Sequence, residues 1–291
     1  MSNTLKLTVL VDNNTFIDRY FLGEPGVSYF LEVAGARILF DVGYSDIFLH
    51  NAARMGLDLL DVDLIVLSHA HLDHTWGLQH LIRLQTDARF EGRNVKRPAL
   101  VAHPSVFFPR HVPELGEIGC LVTAEKAATF FDLRLSREPL RLAPGLTFLG
   151  EINRYHAFEE SPPIGRIETP AGEQDDDLRD DSALVFQAAD GLVVITGCAH
   201  AGICNTLSYA ATVCGESRIH DVIGGFHLLD PPRHRLDETV AYFQSRKPQT
   251  VHACHCTDLR SKMAISRVAS LKEVGVGLEL TYPAKIKGDD K

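Results

Sequence analysis

The chain has 291 residues, 45% of them hydrophobic and 23% charged, with 29 Lys and Arg against 38 Asp and Glu for a formal net charge of −9. That is the composition of a soluble globular protein long enough to bury a core without covalent staples. The acidic balance argues against nucleic acid held through non-specific phosphate contacts, no apolar run reaches the roughly eighteen residues of a membrane helix, and six cysteines are too sparse for a disulfide framework. Met1 to Lys6 lacks a signal-peptide pattern, so a reduced, cytoplasmic setting without a membrane partner is the default expectation.

In chain order, Leu5 to Val11 alternates as an opening strand, and Ser28–Val33 with Arg37–Val42 predicts a hairpin around Ala34-Gly35-Ala36. Phe48 to Gly56 carries apolar residues at helical spacing and stops at a glycine. Asp63 to Ser68 is a continuous apolar run suited to a strand buried on both faces, and Thr75 to Leu84 follows as a helix. Residues from about 89 to 181 are less regular and hold most of the prolines. There Ala99 to Ala102 reads as a strand. Pro104–Thr123 and Tyr155–Asp181 read as long surface loops of the kind that cover a site, with His103, His111, Tyr155 and His156 expected in its wall.

Periodicity returns with a second hairpin (Ala183–Gln187 and Gly191–Thr196) and a helix over Ile203–Val213. A strand at Ile219–Gly224, a helix at Asp237–Ser245, a strand at Thr250–Cys254 and a helix at Ser261–Val274 complete the pattern. Strands alternating with helices predict layered α/β architecture. The second half echoes the first, which predicts one domain over residues 1–291 with two similar β-rich halves and a loop-rich middle.

Fourteen histidines are about twice ordinary usage, and their placement is specific. His69, His71, Asp73 and His74 form His-x-His-x-Asp-His directly after a buried strand. Imidazole nitrogen and carboxylate oxygen suit zinc, manganese or iron, and two histidines two residues apart can face one ion while the Asp-His pair reaches a second. Asp73 can also orient or deprotonate a metal-bound water. One loop cannot close such a site, and His200, His227 and His255 each follow another apolar strand. Ligands gather at the carboxyl ends of strands in α/β layers, so these ends are expected to converge. By contrast His50, His80, His220, His234 and His252 read as ordinary surface or helix residues, and Asp175–Asp177 with Asp180 and Asp181 as a solvated loop. Cys254 and Cys256 flank His255 and alternate to the opposite face of a strand, which argues against a zinc–thiolate cluster there. The N-terminus of the helix after Gly197 could hold an anion such as phosphate, or the glycines there could serve packing alone.

With that motif the sequence resembles the metallo-β-lactamase superfamily. Further segments are similar to its branch around dihydropterin ribofuranosyl-aminobenzene 5'-phosphate synthase, a methanopterin-pathway enzyme. These are Glu24-Pro25-Gly26-Val27-Ser28, Leu39 to Gly43, Asp73 to Leu78, Gly197 to Asn205, Gly224 to Leu228 and His255-Cys256-Thr257. The resemblance spans about Leu5 to Val276 and implies a four-layer αββα sandwich with a metal pair at one sheet edge. It also implies that Asp41 is a buried residue holding the histidine loop. Departures are Thr196-Gly197-Cys198 where Thr-Gly-Asp is common, Pro25 for a histidine and Asp258 for a glycine. Cys198 is then either a thiolate ligand or a small buried residue.

The resulting expectation is a metal-dependent hydrolase or lyase acting on a small ester, phosphoester or pterin-phosphate-like substrate, phosphorylated or not, through water activated at a mono- or dinuclear metal site. His69, His71 and His200 would hold one ion, and Asp73, His74 and His255 the other, two zinc ions being the first choice. His227 would donate a proton or touch substrate. A redox iron site for oxygen or sulfur species and a non-catalytic ligand-binding protein are the alternatives.

Overall fold

The computed structural model describes residues 4–285. The chain runs through β1 (Thr4–Val11), β2 (Ser28–Val33), β3 (Ala36–Phe40), α1 (Ile47–Arg54), β4 (Leu64–Val66), α2 (Leu72–Thr75), α3 (Leu78–Phe90) and β5 (Ala99–Ala102). The middle holds β6 (Arg110–Val112), β7 (Gly116–Glu117), α4 (Ala124–Phe130), β8 (Asp132–Leu135), β9 (Leu140–Ala143), β10 (Leu146–Phe148), β11 (Arg166–Thr169) and β12 (Gly172–Asp175). It ends with β13 (Ala183–Ala188), β14 (Gly191–Thr196), α5 (Ile203–Cys214), β15 (Ile219–Gly225), α6 (Arg233–Arg246), β16 (Thr250–Cys254), α7 (Leu259–Ile265) and β17 (Glu279–Pro283).

Two sheets carry the architecture, in the orders β17-β1-β2-β3-β4-β5-β8 and β16-β15-β14-β13-β10-β9. Period-two alternation explains why they stack. In the first sheet Leu31, Ile38, Phe40, Val66 and Val101 point into one buried cluster, which they share with Leu184, Phe186, Val193 and Ile195 of the second. The intervening residues point outward: Phe30, Leu39, Ile65 and Leu100 pack on Phe48 and Leu81 of α1 and α3, while Val185, Val194 and Val222 pack on Leu207 and Phe243 of α5 and α6. Each central strand is therefore buried on both faces, giving helix, sheet, sheet, helix. In both sheets an antiparallel hairpin leads into parallel neighbours: β3, β4 and β5 in one, β14, β15 and β16 in the other.

Several local expectations change. The helix read from Thr75 is two helices broken at Gly77, where a Cβ would collide with the Val42 carbonyl oxygen. The helix expected to reach Val274 stops at Ile265. The segments read as loops contain a third sheet, β12-β11-β6-β7, whose strands of two to four residues, few of them buried, leave no hydrophobic pattern to read. Strand β17, an edge strand with one buried side chain, was equally silent. Among the described residues, no helix is long and apolar enough to cross a membrane.

His252 is a further correction: it is buried, not a surface residue. Its Nδ1 lies 2.9 Å from Asp221 Oδ1, and Tyr282 donates to Asp221 Oδ2 at 2.6 Å. Burial and the Asp221 carboxylate push the Tyr282 phenol pKa up, so it stays a donor. This network ties β17 of one sheet to β15 and β16 of the other. Hydrogen bonds to charged groups contribute about 1.5–3 kcal/mol. Tyr282→Phe is therefore expected to lower unfolding free energy by about that amount in urea denaturation; an unchanged midpoint would contradict a role for the network in joining the sheets.

Candidate metal centre

The carboxyl ends of β3, β4, β14, β15 and β16 meet at one edge of the two sheets. At the end of β3, Asp41 is fully buried and takes a left-handed backbone conformation, φ 55°. Its Oδ1 accepts from the Ser68 amide at 2.7 Å, and its Oδ2 accepts from Ser68 Oγ and lies 2.7 Å from His74 Nδ1. With Nδ1 committed there, His74 Nε2 faces inward, 3.2 Å from Cys198 Sγ and 3.7 Å from Asp73 Oδ2. Asp73 Oδ2 lies 3.2 Å from His255 Nε2. The backbone of His255 is held by Asp12 and its Nδ1 sits 3.0 Å from Asn13 Oδ1, so the end of β1 fixes this ring.

Beside this group stand His69, His71 and His200, with ring centroids 4.7–4.8 Å apart. Nε2 of His69 and His71 and both ring nitrogens of His200 are buried without a hydrogen-bond partner. Unpaired buried nitrogens are costly, and a divalent ion would satisfy them. Two ligand groups emerge, Asp73, His74, Cys198 and His255, and His69, Cys198 and His200, with donor atoms in each within 4.8 Å of one another. The His227 ring lies tilted against that of His200, centroids 4.2 Å apart, and its Nδ1 is also unpartnered. Ala199, His227 and His255 share the left-handed conformation of Asp41, so the strand ends turn abruptly where these side chains converge.

The acidic stretch before β13 is not a solvated loop. Asp176, Asp180 and Asp181 are buried, Asp177 is half-buried and Asp175 is exposed. Asp180 accepts from the Ala70 amide, between His69 and His71, at 2.9 Å, and Asp181 from the Ala201 amide, beside His200, at 2.8 Å. The Ser182 amide donates to Ser68 O. The segment thus clasps one histidine loop to the other. Fully buried Arg110 supports it, pairing with Asp180 at 2.8 Å and Asp176 at 2.7 Å.

Two other expectations fail on what already occupies the space. The N-terminus of α5 is no open anion site, because Glu159 accepts from the Cys204 and Asn205 amides at 2.9 and 2.7 Å. Cys254 points into the core against Tyr29, but Cys256 lies past the strand end, where its sulfur accepts from the His227 amide. Strand alternation no longer governs it. A narrow cleft with a cavity volume of about 10 Å³ lies over His200 and His227, walled by Arg154, Ser161, Ile164, Asp176 and Asp177 among others. None of His103, His111, Tyr155 and His156 lines it: His103 is buried against Ser105, His111 faces Glu173, and the Tyr155 and His156 amides donate to Asn205.

Electrostatics divides the histidines. Burial first, then neighbouring imidazoles, hold His69 and His200 well below the usual range, and burial lowers His71 to about 4. Burial alone would lower His74 too, but the Asp73 and Asp41 carboxylates outweigh it and raise it to about 9. Burial works against ionised Asp73, yet His74 and His255 hold its pKa down. Burial pushes Asp181 up to about 7.

Asp41→Ala would leave His74 Nδ1 and the Ser68 amide unpaired, and is expected to weaken divalent-metal retention about 10–100-fold in chelator competition. Unchanged retention would contradict the orienting role. A group with a pKa near 9 is cationic at pH 7.5 and must lose its proton to bind a metal. Cobalt binding at pH 7.5 should therefore release a proton from His74, and that release should fade as pH rises through 9, as read by calorimetry in buffers of different ionisation enthalpy.

Residues 22–210 match the signature of the Metallo-beta-lactamase superfamily. A protein of Methanocaldococcus jannaschii named 7,8-dihydropterin-6-methyl-4-(beta-D-ribofuranosyl)-aminobenzene-5'-phosphate synthase is 29% identical over 273 residues, covering 89% of this chain and 90% of that protein. A solved structure described as a metal-dependent hydrolase of the beta-lactamase superfamily superposes with a TM-score of 0.78 at 28% identity, over 95% of this chain and 98% of the other. A diphosphatase from the PhnP family shares the fold, with a TM-score of 0.54 at 16% identity over 98% of this chain and 100% of its own. With its histidine motif at the edge of two stacked sheets, the chain belongs to the metallo-β-lactamase superfamily.

Proposed function

We propose that the protein is a metal-dependent hydrolase of small esters or phosphoesters, with two divalent ions held at the sheet edge. The cluster of buried, unpartnered imidazole nitrogens on His69, His71 and His200 carries this reading. These three would hold one ion, His71 from just outside the donors that lie within 4.8 Å of one another, and Asp73, His74 and His255 the other; their nitrogen and oxygen donors suit zinc, and also manganese or iron. Such a pair, when bound, supplies Lewis acidity toward the scissile bond and lowers the pKa of water.

The chain's own groups do the rest. Asp41 fixes His74 in one orientation, and Asp12 and Asn13 fix His255, so the donors need little rearrangement. Asp73 is held ionised and 24% of its side chain is accessible, which suits it to orient a water or take its proton. His227 lines the cleft with a free Nδ1, placed to give a proton to a leaving group or to contact substrate. The name of the methanogen relative supports a pterin-type aromatic phosphate as the compound to test, together with a synthase or lyase outcome on it.

Losing a metal-centred group removes several kcal/mol of transition-state stabilisation, on the order of a thousandfold in kcat. His71→Ala and Asp73→Ala, folded by circular dichroism, are expected to lose activity on an activated phosphoester or lactone to that extent, and the same loss is expected from chelation of the wild type. Full activity in either variant would contradict the proposal.

A further inference from the structure

We propose that Arg235 and Ser161 form a subsite for an anionic group of the substrate, a phosphate or a carboxylate, at the cleft over His200 and His227. The inference rests on the hydrolase reading above and adds a class of substrate to it, one that carries a negative charge besides its scissile bond. Arg235 sits in the first turn of α6, beyond the strand end that delivers His227, and is only 7% exposed. Its Nη1 donates to Ser161 Oγ at 2.5 Å, and that serine lines the cleft together with His200 and His227. Its Nε and Nη2 are buried without a partner among the described residues.

A buried guanidinium is ordinarily paired. Arg110 is such a case, with the carboxylates of Asp180 and Asp176 at 2.8 and 2.7 Å. Arg235 has no equivalent. Glu159 is the acid that supports its charge most, but both carboxylate oxygens accept from amides of α5. Gly202 makes room for that arrangement, since a Cβ there would collide with Glu159 Oε2. The first turn of α6 holds no acidic residue; of the acids that follow, Glu238 is exposed and Asp237 pairs with Arg233. Burial works against the charge of Arg235, yet a guanidinium stays protonated at ordinary pH. Nε and Nη2 form the side-on fork of that group, whose spacing matches two oxygens of a phosphate or carboxylate. The half-buried Ser161 hydroxyl accepts from Nη1 and keeps its own proton to donate to the same anion. With a volume of about 10 Å³, the cleft admits such a group as the loop carrying Ser161 shifts outward.

The test is isothermal titration calorimetry of inorganic phosphate and of acetate into the metal-free full-length protein, where no metal ion competes for the anion. The wild type is expected to bind, and the tighter of the two anions identifies the group. Arg235→Met is expected to weaken that binding about 10–100-fold, the range of lost charge-assisted hydrogen bonds. Arg235→Lys, which keeps the charge without the fork, is expected to fall between, and it carries the comparison if circular dichroism finds Arg235→Met unfolded. No binding of either anion by the folded wild type, or wild-type affinity in the folded variant, would overturn the subsite. A second arm uses the zinc-loaded protein with p-nitrophenyl acetate, which is neutral, and mono-p-nitrophenyl succinate, which carries a carboxylate. The KM for the charged ester relative to the neutral one is expected to rise about tenfold in the variant. An unchanged ratio would separate the anion site from the substrate and overturn the proposal. Hydrolysis of neither ester would overturn the hydrolase reading instead, and the calorimetry, run without metal, would still decide whether Arg235 binds an anion.

Discussion

Asp41 carries a full carboxylate at the end of a core strand with no solvent contact, and three donors from the histidine loop converge on it. A buried carboxylate is tolerated only when it is so paired, and the pairing here has a direction. It pins the Ser68 amide, which sets where the loop leaves β4, and it takes one nitrogen of His74, which leaves the other to face the site. The left-handed turn at Asp41 is part of the same constraint. The His255 ring is held separately, from the end of β1 by Asp12 and Asn13.

The second constraint joins the sheets. Residues 180–182 reach from the start of β13 to both histidine-bearing loops, with one carboxylate on the Ala70 amide and the next on the Ala201 amide. Arg110 compensates this buried charge from the small third sheet. The irregular middle of the chain is therefore part of the scaffold of the site as well as its cover. On the far side, the Tyr282–Asp221–His252 network links the sheets again, so the inter-sheet angle is fixed away from the chemistry as well as beside it.

What could be read beforehand was what is local. The central strands are legible because they are buried on both faces and leave unbroken apolar runs, and the His69–His74 motif because its potential donors fall within six consecutive residues. His200, His227 and His255 were legible only through their shared place after strands. Asp180, Asp181 and Arg110 were not, since burial of a charged side chain depends on a partner many residues away, and an aspartate-rich stretch looks the same whether solvated or paired. Glu159 filling the N-terminus of α5 is another such case, its carboxylate standing 45 positions before the Cys204 amide it accepts from. Cys256 escaped the alternation argument because His255 leaves the strand conformation one residue earlier.

The central claim is that strand ends from two sheets build one paired metal centre. Crystals of the protein purified with zinc, measured above and below the zinc absorption edge, test it directly. The account predicts two anomalous peaks, one among His69, His71 and His200 and one among Asp73, His74 and His255. A single peak, or peaks away from these side chains, would contradict it.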